Sequence, residues 1–563
     1  MTSAANDNPT LTQRLYKPVD IASLVFFRIA YGLIMAWEMW RYGMPRDDAP
    51  SRAVAYYGNG QFLFKYYGFE WVQAPPGEWI TLVLAVVGVF ALFLAVGFLY
   101  RFSAAVMCVG LTYIFLLDRT FYLNHFYLVC LLAGLMVFIP AHRAFSVDAM
   151  LRPRIRSSTA PRWALWLLRL QFGIVYFYGG LAKINLDWLA GEPMRGMLAN
   201  KYNTPYLGPY AYEEWMVMLL TWGGLLLDLL IVPALLWRPT RIPAYLAAVA
   251  FHLSNSVLFT IGIFPWMMIA ATTIYFEPDW PRRPLRWLAQ LRGNPAPSSA
   301  PTPAPPTIGR PQRVLLTVLG VYVAIQVLVP FRHYFYPGNA SWTEQGHQFA
   351  WRMMLRSKVP ETRFMLYVFS DPKTGDEWIV DPVDHIPEWE TEGYYRSRDA
   401  RNVFGDRLGQ RLGRTLGRRN MEVDIIHEPC KVTAVDKQTG LVERIPLAKH
   451  MFRHRMKKMA GRPDMMIQFA RYVAELKRAE GKDVAVYIES WVSMNGREEQ
   501  LIINPEVDLA AQTRGGIGHG DWIVPLTRPL RYNNYRQWRE QPTLVLDQSD
   551  KDRANEDRTG QVD

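Results

Sequence analysis

Lys183 closes a long apolar run, Trp163–Lys183 (WALWLLRLQFGIVYFYGGLAK), and INLDWLAG follows it. A charge at the centre of a membrane-length segment costs about 2.5–3.5 kcal/mol on insertion scales. Two solutions exist. The ammonium can snorkel to an interface beside Asn185, Asp187 and Trp188. Alternatively an apolar pocket holds the amine neutral, and a neutral amine accepts protons as a general base. Gly179 and Gly180, just upstream, admit either a ligand or a second backbone at close range.

Two histidines also sit in apolar runs, His125 in DRTFYLNHFYL and His252 in FHLSNSVLFTIGIF. Each is either a hydrogen-bonded packing residue or a member of a site. Asn124 either caps the helix that His125 opens or points at a ligand. Arg28, Glu38, Arg169 and Asp228 are further charges inside apolar runs, and Arg28 and Asp228 are expected to be structural ion-pair partners. Trp342, Trp351 and Trp491 are expected in a core.

Other chemistries lack their marks. There is no GxSxG elbow, no Walker loop and no Cys/His catalytic signature. HEPC at 427–430 is too sparse for a metal centre, so no metal is expected. The three cysteines carry no zinc spacing, and a bridge between Cys108 and Cys130 is not expected.

These residues need membrane-crossing elements to position them. Up to about residue 330 the chain repeats apolar runs of bilayer-spanning length. The candidate spans are 21–42, 78–99, 103–117, 123–140, 163–184, 215–237, 242–260, 263–276 and 313–331. The stretch 242–276, broken near Gly262 and Pro265, reads as a helical hairpin or as one span plus a re-entrant piece. The fold class is therefore a multi-pass α-helical membrane protein with about 8–9 spans and a C-terminal α+β soluble domain. Strands are expected at FMLYVFS, EWIVDP and VAVYIESWVSM, and a helix over 464–481. The domains run 1–20, 21–331 with a Pro-rich linker at 294–311, 332–547, and a polar tail at 548–563 expected to be disordered. The polar start leads into a full-length span, so no cleavable signal peptide is expected.

The net charge of +12 is mostly loop arginine, which argues topology and not nucleic-acid binding. Arg143, Arg152, Arg154, Arg156 and Arg162 lie in one loop, and Arg238 and Arg241 in another. Arg282, Arg283, Arg286, Arg292, Arg310 and Arg313 lie in a third segment. All fall on one side, which the positive-inside rule makes cytoplasmic. The N-terminus is then cytoplasmic, the soluble domain lies in a periplasm or lumen, and the membrane is a cell inner membrane. On this count His125, Lys183 and His252 converge in the outer half of the bilayer.

YFYGGLAKINLDWLAG, DRTFYLNHFYL, HRAFSVDAML, FHLSNSVLFTIGIF and EPDWPRR together resemble the vitamin K-dependent gamma-carboxylase family, in its bacterial transmembrane branch. NASWTEQGHQFAWRMML and YIESWVSMNGREEQLIINPEVDL extend the resemblance, which covers roughly residues 20–540 in order. It implies that Lys183 is the base that deprotonates a reduced vitamin K-type naphthoquinone (or menaquinol). Epoxidation of the quinone by O2 then yields a base strong enough to remove a γ-proton from a peptide glutamate, and the carbanion takes up CO2. The resemblance thus implies a carbon–carbon lyase with epoxidase activity. His125 and Asn124 match active-site positions, and His252 matches a further one. Lys183 and His125 are then the expected catalytic residues, and Asn124, His252, Gly179 and Gly180 the expected quinone-binding set. The implied partners are the lipid bilayer, a lipidic quinone and a Glu-containing peptide. His347 and Phe349 replace aromatic hydroxyls of the animal enzymes, and the chain ends where those enzymes continue. A quinone epoxidase or oxidoreductase without protein carboxylation is therefore the first alternative. A non-enzymatic membrane binding or transport protein is the second, but the internal repeat of spans expected of a transporter is not apparent.

Overall fold

A computed structural model describes residues 10–287, 308–380, 422–512 and 520–530, with breaks at 46–49, 361–363, 371–376 and at single positions 59, 202, 206, 260 and 285. Nine helices match the nine expected apolar runs. They are α1 (Ala22–Gly43), α2 (Trp79–Val96), α3 (Tyr100–Leu117), α4 (Asn124–Phe138), α5 (Arg162–Lys183), α6 (Glu214–Leu236), α7 (Arg241–Leu258), α8 (Phe264–Thr272) and α9 (Arg310–Leu328). Six of the described helices (α1, α2, α3, α5, α6 and α9) are long and apolar enough to cross a membrane. α4 is apolar but only 15 residues long. Sequence neighbours pack on one another whether their loops are short or long: α1 on α2, α2 on α3, α3 on α4, α5 on α6 and α6 on α7, while α8 returns to α1.

The 242–276 stretch resolves as a hairpin. α7 ends near Gly262, whose φ of 56° suits glycine. A Cβ there would lie 3.1 Å from Arg41 Nη2, at the far end of α1. α8 and a 3-10 turn at Thr273–Tyr275 then carry the chain back. The Pro278 carbonyl accepts a hydrogen bond from the Ser23 amide at the start of α1. Nine residues of α8 rise only about 14 Å, so the looser turns on either side supply the rest of the return.

Arg28 differs from expectation. It has no carboxylate in hydrogen-bond contact among the described residues. Its guanidinium donates to the carbonyls of Ala95 (3.2 Å), Ala141 (2.8 Å), Ala144 (3.3 Å) and Phe145 (2.5 Å). Those carbonyls end α2 and form the loop after α4, where no intrahelical partner is available. One side chain with five donors satisfies four acceptors at once.

The C-terminal region is α+β. β1 (Lys358–Pro360), β2 (Phe364–Ser370), β3 (Glu377–Val380), β4 (Glu422–Glu428), β5 (Lys431–Asp436), β6 (Val442–Arg444), β7 (Val484–Glu489), β8 (Trp491–Met494) and β9 (Gln500–Leu501) form three antiparallel sheets. Their orders are β9-β8-β1, β3-β2-β4 and β6-β5-β7. α10 (Arg453–Ala460) and α11 (Pro463–Ala479) complete the region, and α11 packs on β7. Trp342 is buried in this region's core and Trp351 in the core of the helical bundle, whereas Trp491 is only partly buried. All three cysteines are free thiols. Residues 294–307 of the expected linker and the tail from 548 lie outside the described residues.

The two regions meet through buried charge. Arg455 Nε contacts Asp118 Oδ2 at 2.6 Å, with both side chains fully buried. Arg119 pairs with Asp464. Asp187 accepts both Arg497 nitrogens, at 2.6 and 2.7 Å, and Asn495 Nδ2 at 2.8 Å.

Candidate active site

Four helix segments bring polar groups to one end of the bundle. α5 delivers Lys183 at its last residue, α6 delivers Asp228, α4 opens with Asn124 and His125, and α7 carries His252. They line a single cavity of about 590 Å³. The membrane half of its wall is apolar, with Leu227, Phe251, Phe264 and Met268 among its residues. The other half comes from the loop 344–358 and the segment 457–462 of the C-terminal region.

Lys183 is only 5% exposed, so its amine does not reach the surface. Its Nζ forms an ion pair with Asp228 Oδ2 and lies 5.2 Å from the Trp188 ring centroid. Asp187 and Asn185, expected as interfacial companions, have other duties. Asn185 caps the short turn that carries Trp188, accepting from the Trp188 amide at 3.0 Å.

The partner of Asp228 is thus Lys183 rather than Arg28. Sequence reasoning missed this member of the site. Its signal was present, since a lone carboxylate in an apolar helix needs a cation. The choice of cation depends on how α5 and α6 pack, and the two glycines decide that. A Cβ on Gly180 would lie 2.7 Å from Leu229 Cδ2 and 3.1 Å from the Leu229 nitrogen. A Cβ on Gly179 would lie 3.2 Å from Asp228 Oδ2. Gly180 therefore serves the close approach of α6, whereas a Cβ on Gly179 would also lie 3.0 Å from Cε of Met353, which lines the cavity.

His252 Nε2 is 2.7 Å from Tyr176 Oη, while its Nδ1 is buried without a hydrogen-bond partner among the described residues. The tyrosine fixes the ring and leaves one nitrogen uncommitted. The His125 ring packs against Phe264 at 5.4 Å. Asn124 lines the cavity and also braces the loop. Its Oδ1 accepts from Tyr122 Oη (2.9 Å) and its Nδ2 donates to the Arg352 carbonyl (3.2 Å).

The loop over the cavity is strained. Glu344, Phe349, Trp351 and Met354 have φ of 66°, 59°, 53° and 58°. Such backbone costs roughly 1–3 kcal/mol at each residue and persists where surrounding contacts over-determine it. Here Trp342 and Trp351 anchor the loop, each 1% exposed. Glu344 is the hub. Arg356 donates to its two oxygens at 2.7 and 2.6 Å, and Lys358 to one at 2.8 Å. Burial alone would raise the Glu344 carboxyl, but Arg356 and Lys358 hold it well below the usual carboxylate range. His347 is kept neutral by burial and by Arg356, whose Nη1 lies 2.9 Å from Nε2. Burial pushes Lys358 down to about 8, and burial beside Arg462 and Arg356 pushes Lys458 down to about 7.

Residues 16–280 match the family model described as an HTTM domain. Residues 311–428 and 426–529 match the model of the vitamin K-dependent gamma-carboxylase lumenal domain. The chain belongs to the vitamin K-dependent gamma-carboxylase family. No solved structure matches it. The family membership makes this a carboxylase-like membrane enzyme dependent on vitamin K. The first model covers α1 to α8, the second runs from α9 through the α+β region, and residues from both line the cavity.

Proposed function

We propose that the chain couples epoxidation of a reduced naphthoquinone by O2 to γ-carboxylation of a peptide glutamate. The carrying observation is the buried Lys183–Asp228 pair on a cavity that is apolar on its membrane side and polar on the other. A cavity of this volume is of the size that holds one drug-sized ligand. Its apolar wall suits a lipidic ring system, and the uncommitted His252 Nδ1 offers one polar contact to a ring oxygen.

When bound, the reduced quinone supplies, with O2, a base stronger than any side chain. The residues supply the rest. Lys183 and Asp228 act as one proton-sharing pair that takes the proton of the bound hydroxyl. This refines the expectation of an isolated neutral amine, because the carboxylate is there to share the charge. Tyr176 aims His252, His125 flanks the cavity beside Phe264, and the Asn124 brace holds the strained loop over the opening. The apolar wall and the loop over the opening limit the access of water, which would quench a strong base.

The same reading places the arginine-rich end of the bundle in the cytoplasm and the C-terminal region outside a cell inner membrane. A lipidic quinone then arrives from the bilayer and a peptide from the aqueous side. The test is hydroquinone-dependent epoxide formation by purified protein. Lys183→Ala should reduce it by about 10²–10⁴-fold while the thermal unfolding midpoint remains measurable and cooperative. Wild-type epoxidation in that variant would remove Lys183 from the chemistry.

A further inference from the structure

The aqueous end of the cavity carries a surplus of positive charge. Six basic side chains line it, Arg352, Arg356, Lys358, Lys457, Lys458 and Arg462, against one carboxylate, Glu344. Glu344 is already saturated by Arg356 and Lys358. Among the described residues Arg352 reaches His333 Nε2 at 3.3 Å and Ser341 Oγ at 3.4 Å, and its Nε is buried without a partner. Arg462 Nη1 is likewise buried without a partner among the described residues. Asp464, the next acid, pairs with Arg119 through Oδ2 and makes no hydrogen bond to Arg462 among the described residues. Buried cations are costly unless an anion completes them, and unmade hydrogen bonds from charged groups are more costly than neutral ones.

We infer that Arg352, Lys458 and Arg462 form a carboxylate-binding subsite that holds the side chain of the substrate glutamate. The inference rests on the carboxylase reading and deepens it. The subsite and the Lys183–Asp228 pair line the same cavity, so a glutamate bound here faces the quinone end. Breaking the Cγ–H bond sends the proton to the quinone-derived base and leaves the electron pair delocalised on to this carboxylate. Its charge rises from one negative unit to two. Fixed cationic donors at that position grip the developing charge more tightly than the ground state. A glutamine side chain has no charge to offer and is rejected.

The experiment uses full-length protein in detergent and fluorescence anisotropy of a labelled Glu-containing peptide and its Gln counterpart. The wild type should prefer the Glu peptide. Arg462→Gln, and separately Lys458→Met, should weaken the Glu peptide by about tenfold or more and leave the Gln peptide unchanged. Neither variant should lower the thermal midpoint without peptide, because neither cation forms an ion pair among the described residues. Wild-type Glu affinity in both variants, or equal binding of Glu and Gln peptides, would overturn the subsite. So would thermal protection of the wild type by bicarbonate but not by the peptide, since the occupant would then be a small anion. Failure of the carboxylase reading has a different signature: the Glu preference and its loss in the variants persist, while no labelled CO2 enters the peptide.

Discussion

Lys183 and Asp228 belong to each other across 45 residues of sequence. That fact changes what each single substitution does. Asp228→Asn leaves a buried ammonium without its counter-charge, so it should destabilise the protein by about 3–5 kcal/mol and also slow epoxidation. Chemical denaturation and epoxide assays on the same preparation check both. The pH dependence of stability carries a second residue-scale prediction. Lys458 sits near 7 when folded, against an unfolded value of about 10.4. Above about 7 the unfolded chain binds the extra proton, so this lysine makes stability rise with pH from about 7 to 10.4. Lys358 does the same from about 8 upward. The charges acting on Lys458 are Arg462, Arg356 and Glu344. Lys458→Met should therefore raise the unfolding midpoint at pH 7 and flatten its climb between pH 7 and 8. At this scale the sequence announced which residues are costly, namely Lys183, His125, His252, Arg28 and Asp228. It did not announce their partners. Arg28 found carbonyls rather than a carboxylate because a loop and a helix end converge on it, which is a property of packing and not of spacing.

The elements were the most legible part of the chain. Apolar runs mark α1 to α9, six of them long enough to cross a membrane, and alternating β-formers mark β2, β7 and β8. The ambiguous stretch after α7 was settled by long-range bonds, the Ser23 amide to the Pro278 carbonyl at one end and Gly262 beside Arg41 at the other. No local pattern encodes those. The α5–α6 contact is where element geometry becomes chemistry. Gly180→Ala would place a methyl within 3.1 Å of the Leu229 backbone nitrogen. The helices must separate by a few tenths of an ångström, at about 1–3 kcal/mol. Asp228 then withdraws from Lys183. The expected outcome is a lowered thermal midpoint together with a fall in kcat larger than the change in KM for the quinone.

The whole molecule is a helical bundle and an α+β region closed over one cavity. The cationic wall was invisible to sequence reasoning because its residues come from two segments about 100 positions apart, 352–358 and 457–462. They meet only once the second region docks. The docking relies on buried pairs, so Asp118→Asn should strand Arg455 and loosen the interface by about 3–5 kcal/mol. Hydrogen exchange should report this first at α10 and in the segment 118–122, before the core of α11 responds. The central claim concerns the coupling of the two halves of the cavity. Its most direct measurement gives the protein reduced naphthoquinone, O2, labelled bicarbonate and a Glu-containing peptide, and counts epoxide and peptide label together. The wild type should form both products, and Lys183→Ala neither. Epoxide formation by Lys183→Ala at the wild-type rate, or epoxide from the wild type with no label in the peptide, would contradict the account.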